Sequence, residues 1–388
     1  MASASVQDMT SPGKTAIGTW SGGRYLRYGE TIDEARLEAL LRPAVGGMQT
    51  VVSADAYGQG EADSLLGRAL EGVPRDSFSL VGAVGHDFYE GERDGPRGFP
   101  RFTDPRLRGP GSYADYLRMA AERSLERIGA DRFDVLLLHN PDRTGYESEE
   151  VWDGMAALRE GGIADSIGVA PGPANGFTLD LIGCLERFGD RIDWAMLILG
   201  PFEPWPAELS LGAAERAGVR VITRVVDYGG LFWDDVLPGA ALAKGDHRAH
   251  RPDGWIEAGR EKLDALRPIC ERTGLTPMQL ACQWNLAQPA VGCVVPTLIQ
   301  EAGPGARPIE DKRAELEALP HEILLSAEDV AEIAQIGDNR GSMALKGASP
   351  DHEGEERPDR WPLAEDLVEA GRRWDIDPDR DLRRLVRR

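Results

Sequence analysis

Short, almost wholly apolar runs recur along this chain, each followed by a longer amphipathic one, and that alternation limits the fold more than any other feature. The strand-like runs are TAIGTW (15–20), QTVVSA (49–54), SFSLVGAVG (77–85), FDVLLLHN (133–140), SIGVA (166–170), WAMLILG (194–200), VRVITRVV (219–226) and VGCVVPT (291–297). Several are β-branched or apolar throughout, as strands buried on both faces must be. Helical patterns lie between them. TIDEARLEALLRPAVGG predicts a helix with Thr31 as its N-cap. GEADSLLGRALEG carries Leu65, Leu66, Ala69 and Leu70 along one stripe, with Gly72 as the stop. Further helical patterns of this kind separate the later strands, and RPIEDKRAELEAL closes the series after the last strand. Eight strands, each followed by a helix, predict an α/β fold, a (β/α)8 TIM barrel. A doubly wound open sheet is the alternative. It usually carries a GxGxxG turn after an early strand, and SADAYGQGEAD spaces its glycines differently.

With 388 residues, of which 41% are hydrophobic and 28% charged, the chain can bury a large core. The alternation assigns 14–337 to the barrel. Residues 1–13 read as a flexible N-terminus, and 338–388 as a C-terminal extension packed on or beside the barrel. A formal net charge of −21 repels phosphate backbones and anionic headgroups, so neither nucleic acid nor membrane is expected as a partner. Arg383, Arg384, Arg387 and Arg388 form a basic end that a solvated helix terminus explains equally well. MASASVQDMTSPGK has no apolar stretch for a signal peptide, and no run of 18 apolar residues occurs. Cys184, Cys270, Cys282 and Cys293 form no CxxC pair, which suits reduced thiols in a cytoplasmic protein. The oligomeric state is left open.

A barrel keeps its chemistry at the C-terminal ends of its strands. Strand two ends at Asp55 and Tyr57, strand four at His139, Asn140 and Asp142, and strand seven at Arg224, Asp227 and Tyr228. His86 and Asp87 come after strand three, Glu203 after strand six, and Thr297 ends strand eight, with Gln300 and Glu301 beyond it. The long loops 86–112 and 237–255 lie on this same face. His139 is the most informative residue. It ends the interior run Val135–Leu138, where an unbonded imidazole is costly. Its plain reading is a core histidine on a backbone carbonyl. Its functional reading is a partner for Tyr57, the two sharing a substrate oxygen as orienting group and general acid. Trp20, Asp55, His86, Asn140, Glu203, Arg224, Asp227 and Tyr228 are candidate substrate contacts. Trp20 serves packing equally well.

Other chemistries find little support. His86, Asp87, His139 and Asp142 lack HxH or HExxH spacing, and no metal is expected. His247 and His250 read as solvated loop residues. A P-loop and a GxSxG elbow are both absent.

The segment Ser53-Ala54-Asp55-Ala56-Tyr57-Gly58, with Gly60-Glu61 and Leu65-Leu66-Gly67-Arg68-Ala69-Leu70, resembles the signature D-T-A-x-x-Y-G-x-x-E then L-G-x-A-L. Phe133 to Asp142 resembles D-x-x-L-x-H-x-P-D. Both belong to the aldo-keto reductase superfamily, and the resemblance runs from about residue 14 to about 337. It implies carbonyl reduction, or the reverse oxidation, with NADP(H) or NAD(H), and an Asp, Tyr, Lys, His tetrad. Tyr57 and His139 match the Tyr and His. Val52 stands at the Asp position and Ala83 at the Lys position, so the site is divergent. Ala170-Pro171 replaces a Ser-Asn pair, Met196 a Gln, and Arg224 the aromatic residue that stacks on nicotinamide. The basic cluster for the 2′-phosphate falls around Pro308 to Asp311, with Lys312 and Arg313 next and Ala314 near the usual Asn.

By this resemblance Arg224, Thr297, Lys312 and Arg313 are the cofactor-binding candidates. Tyr57, lacking an ammonium neighbour, keeps a high pKa unless Arg224 supplies the charge. The expected activity is an NAD(P)(H)-linked oxidoreductase acting on a carbonyl, alcohol or sugar-like small molecule. The alternatives are a lyase, isomerase or dehydratase on a sugar or polyol, and a silent binding barrel.

Overall fold

The computed structural model describes residues 11–44, 46–95, 98–172, 177–239, 242–243, 245–251, 253–340 and 363–382. Most of the expected flexible N-terminus, the four-arginine end and the side chain of His250 lie outside them. Eight strands form one sheet: β1 (Ala16–Gly18), β2 (Thr50–Val52), β3 (Ser79–Val84), β4 (Phe133–His139), β5 (Ala164–Ala170), β6 (Trp194–Ile198), β7 (Arg220–Arg224) and β8 (Val291–Val295). Each is parallel to the next, in chain order. Thr15 bridges Val294, whose N–H donates to the Lys14 carbonyl at 2.9 Å, which brings β8 back to β1. The (β/α)8 barrel read from the alternation is therefore the fold, and every strand falls where an apolar run stood.

The helices are α1 (Glu34–Leu41), α2 (Glu61–Leu70), α3 (Tyr113–Ile128), α4 (Arg143–Glu147), α5 (Glu149–Glu160), α6 (Thr178–Phe188), α7 (Leu211–Ala217), α8 (Trp255–Thr273), α9 (Pro277–Leu286), α10 (Ile309–Glu317) and α11 (Ala327–Gly337). Beyond them come α12 (Glu365–Arg373) and α13 (Pro378–Asp381). One cap differs from expectation. Asp33, not Thr31, caps α1, its carboxylate accepting from the Arg36 N–H at 2.8 Å. Thr31 instead donates to the Gly23 carbonyl.

Alternation along the strands divides the core in two. In β4, Leu136 and Leu138 pack outward with the helices, while Val135 and Leu137 join an inner cluster with Val81, Ala83, Met196, Ile222 and Val295. The inner stripe of β4 ends on His139, and that of β7 runs through Ile222 to Arg224. This parity places the chemistry, because a strand residue two positions beyond an inward one also points inward.

Beyond the barrel, residues 363–382 pack against α6. Leu367, Ala370, Ile376 and Leu382 are buried. Glu186 accepts from Trp374 Nε1 at 2.9 Å and pairs with Arg373 at 2.5 Å.

Candidate active site

A pocket opens at the C-terminal ends of the strands. Its floor is Val52, Ala54, Ala83, Ala170 and Met196, and its polar groups come from Tyr57, His139, Arg224, Thr297, Ser53 and Tyr28. Tyr57 stands edge-on to two rings, with centroids 6.1 Å from Trp20 and 5.9 Å from His139. Two separate strand ends thus aim a phenol and an imidazole at one volume.

His139 is neutral. Burial and the guanidiniums of Arg224 and Arg101 push its pKa down to about 3. Its Nδ1 is buried and meets no hydrogen-bond partner. The carbonyl bond that would have made it a plain core histidine is absent. Burial raises the Tyr57 pKa, and the charge of Arg224 opposes that rise. Val52 and Ala83 bring no charge to the floor, so among the described residues Arg224 is the one formally charged group lining the pocket. Its Nη2 donates to the Pro171 carbonyl at 3.0 Å. Among the described residues no carboxylate lies within ion-pair distance of it, and burial lowers its pKa.

The other candidates fall into three groups. Trp20 and Thr297 line the pocket. Asn140 and His86 stand behind it. Asn140 takes the left-handed conformation at φ 46°, which asparagine tolerates, and its side-chain amide meets His86 Nε2 at 3.1 Å. His86 in turn packs edge-on against His139 at 4.9 Å, and Arg101 Nη1 meets its Nδ1 at 2.9 Å. Arg101 can only donate, so Nδ1 accepts and a neutral ring carries its proton on Nε2. With the amide turned over, so that oxygen takes the place of Nδ2, Asn140 accepts that proton.

Asp55, Asp227, Glu203 and Tyr228 do not line the pocket. Asp55 is fully buried on the far side of the β2 end, and neither carboxylate oxygen has a hydrogen-bond partner. Burial, then the neighbouring Asp63, raises its pKa well above the usual carboxylate range. Asp227 ties the β7 and β8 loops, accepting from the amides of Thr297 at 2.8 Å and Gly230 at 2.9 Å. Glu203 is buried beyond β6 in a backbone bridge to Gly200. Tyr228 lies under the guanidinium of Arg251, and burial pushes its pKa up to about 12.

Lys312 and Arg313 are turned inward. The Lys312 ammonium, 0% exposed, pairs with Asp235 at 2.6 Å and donates to the Ile299 carbonyl at 2.7 Å. Arg313 donates to the carbonyls of Ala39, Leu40 and Arg42, and pairs with Glu317. Neither presents a free cation.

Several residues of this region are not foreseen from the sequence. Tyr28 and Leu26, from the loop after β1, line the pocket, and burial pushes the Tyr28 pKa up to about 12 against the pull of Arg251 and Arg224. An aromatic in a loop on the chemical face was the available signal. Arg251 is 6% exposed and stacks over Tyr228 at 4.4 Å and Trp255 at 4.7 Å. His247, expected in solvent, rests half-buried against Tyr28, with ring centroids 5.4 Å apart.

Known proteins share this sequence pattern and this fold. The sequence model described as "Aldo/keto reductase family" matches residues 14–338. A 6-dehydroglucose reductase of Agrobacterium fabrum is 24% identical over 304 residues, 76% of this chain and 86% of its own. The solved glycerol dehydrogenase of Gluconobacter oxydans superposes with a TM-score of 0.62 at 20% identity, over 83% of this chain and 90% of that one. An aldo/keto reductase from Klebsiella pneumoniae, solved with NADP and acetate, does so with a TM-score of 0.55 at 19% identity, over 86% and 95%.

Proposed function

The chain belongs to the aldo/keto reductase family of oxidoreductase enzymes, and from that premise we propose that it interconverts a carbonyl and an alcohol on a small molecule with NAD(P)(H). The observation that carries this reading is the convergence of Tyr57, His139 and Arg224 on one pocket.

The nicotinamide cofactor can be tested against the residues present. Its anionic phosphates call for a cation, and Arg251, stacked on Tyr228 and Trp255 in the loop after β7, offers one. Thr297 and Trp20 border the space for the nicotinamide end. Lys312 and Arg313 are engaged elsewhere, so a 2′-phosphate gains nothing from them unless their ion pairs open. When bound, the cofactor supplies the hydride that reaches the carbonyl carbon.

The remaining work falls to the chain. Tyr57 donates the proton to the carbonyl oxygen in reduction and recovers it from solvent. Arg224 takes the role of a missing ammonium, holding the phenol pKa below what burial alone would impose. His139, neutral at working pH, orients the same oxygen through Nε2–H, the tautomer that leaves only a lone pair unsatisfied at the buried Nδ1. The apolar floor excludes water.

The test is a fluorescence titration with NADPH and NADH at near-physiological salt, then cofactor consumption with a panel of small carbonyls. Micromolar binding with turnover, lost in Y57F, is the expected result. A second reading, cofactor-free acid–base chemistry on a polyol, draws on Ala170-Pro171 and Met196, which offer no side-chain hydrogen bond to a carboxamide. No binding of either nucleotide up to millimolar concentration would favour it.

A further inference from the structure

The pocket poses an electrostatic problem. Among the described residues, Arg224 is its one formally charged lining residue, its hydrogen bond runs to the Pro171 carbonyl, and no carboxylate pairs with it. Arg224 is half-buried, and a guanidinium partly withdrawn from water without a counter-ion favours a ligand that brings the negative charge. The chain as a whole carries −21, so charge of that sign abounds elsewhere, and its absence here is local to the pocket. Met196, Ala170, Val225 and Leu26 also line the pocket, and none of their side chains can accept from its remaining N–H groups. Tyr28 and Tyr57 can add O–H donors, and neither oxygen can serve as the missing anion while its phenol stays protonated.

We infer that the substrate is a small carboxylic acid whose carboxylate pairs with Arg224 while its carbonyl or alcohol carbon lies between Tyr57 and His139. A planar guanidinium with free N–H groups matches a carboxylate with two parallel bonds. Arg224 ends the inner stripe of β7 as His139 ends that of β4, so the carboxylate and the reacting oxygen meet groups on different strands of one pocket. The fitting class is a 2-oxo acid, reduced to the 2-hydroxy acid by hydride to carbon and a proton to oxygen, or a sugar acid of similar reach. This rests on the proposed redox reading for its chemistry, but not for its binding.

The experiment separates the two. Calorimetric titration of the full chain without nucleotide uses oxalate, and oxamide as the uncharged isostere. Oxalate should bind, oxamide should bind at least 10-fold more weakly, and Arg224→Gln should weaken oxalate by about 10- to 100-fold, the loss of a charge-assisted pair. Arg224→Lys should recover part of that loss. Equal binding of oxalate and oxamide, or oxalate binding indifferent to Arg224→Gln, overturns the inference. Turnover is read in parallel with NAD(P)H and either pyruvate or its neutral analogue hydroxyacetone. Arg224-dependent oxalate binding without nucleotide binding would leave the carboxylate site standing and remove the redox reading. Equal kcat/KM for pyruvate and hydroxyacetone would keep the redox reading and remove the carboxylate site.

Discussion

At the scale of single residues, two buried titratable groups should pull stability in opposite directions with pH. His139 is neutral in the folded protein down to about pH 3, whereas an exposed histidine takes its proton near 6.5. Between those values the unfolded chain binds a proton that the folded one refuses. The penalty is absent above pH 6.5 and grows as pH falls through the window. His139→Asn removes it, so the melting temperature of the variant should gain on wild type from pH 6.5 to pH 4 and run parallel to it above pH 7. Asp55 has the reverse sign. Its folded pKa is raised above the unfolded 3.8, so wild type loses stability as pH rises from the unfolded value towards that raised one. Asp55→Asn should gain on wild type between pH 4 and pH 8 and melt higher at the upper end. A lower melt at pH 8 would mean that the carboxylate is charged and partnered. His139 was legible because strand parity alone puts it inward, two residues beyond Leu137. The same parity applied to β2 sets Asp55 apart from the inward Val52 and Ala54, a distinction that a roll of strand-end polar residues does not make.

At the scale of elements, loops are joined by pairs that no local pattern predicts. Lys312 near the start of α10 and Asp235 in the loop after β7 are 0% and 1% exposed at their side chains and 2.6 Å apart. Read along the sequence, Lys312 belongs to a basic cluster near a helix start and suggests a phosphate ligand. Its partner lies far back in the chain, and only the closure of β7 against β8 brings the two together. Removing one member leaves a buried charge, so Lys312→Met should destabilise by about 3–5 kcal/mol. Replacing Asp235 by Leu as well should recover most of that loss. Urea melts of the two singles and the double measure the coupling. If Lys312→Met instead leaves stability unchanged and weakens NADPH more than NADH, the ammonium serves a 2′-phosphate and the ion pair is incidental.

At the scale of the whole molecule, the barrel was legible because eight buried strands impose a pattern on nearly every segment. The segment 363–382 carries no such repeat, and its place is set by contacts. Pocket residues run from Trp20 to Thr297, so nothing in 363–382 lines the pocket. What those residues contribute is cover. Leu367, Ile376 and Leu382 are at most 4% exposed, and the Trp205 indole N–H donates to the Asp381 carbonyl at 2.6 Å. That burial, the Glu186 contacts and the face of α6 that would otherwise meet water hold the segment in place. A chain ending at 340 should therefore still fold, melt lower by about 5–10 °C, and bind oxalate as the full chain does once both are measured below the lower melt. An unchanged melt would show the extension to be passive. Loss of oxalate binding in a folded truncation would place part of the ligand site beyond residue 340.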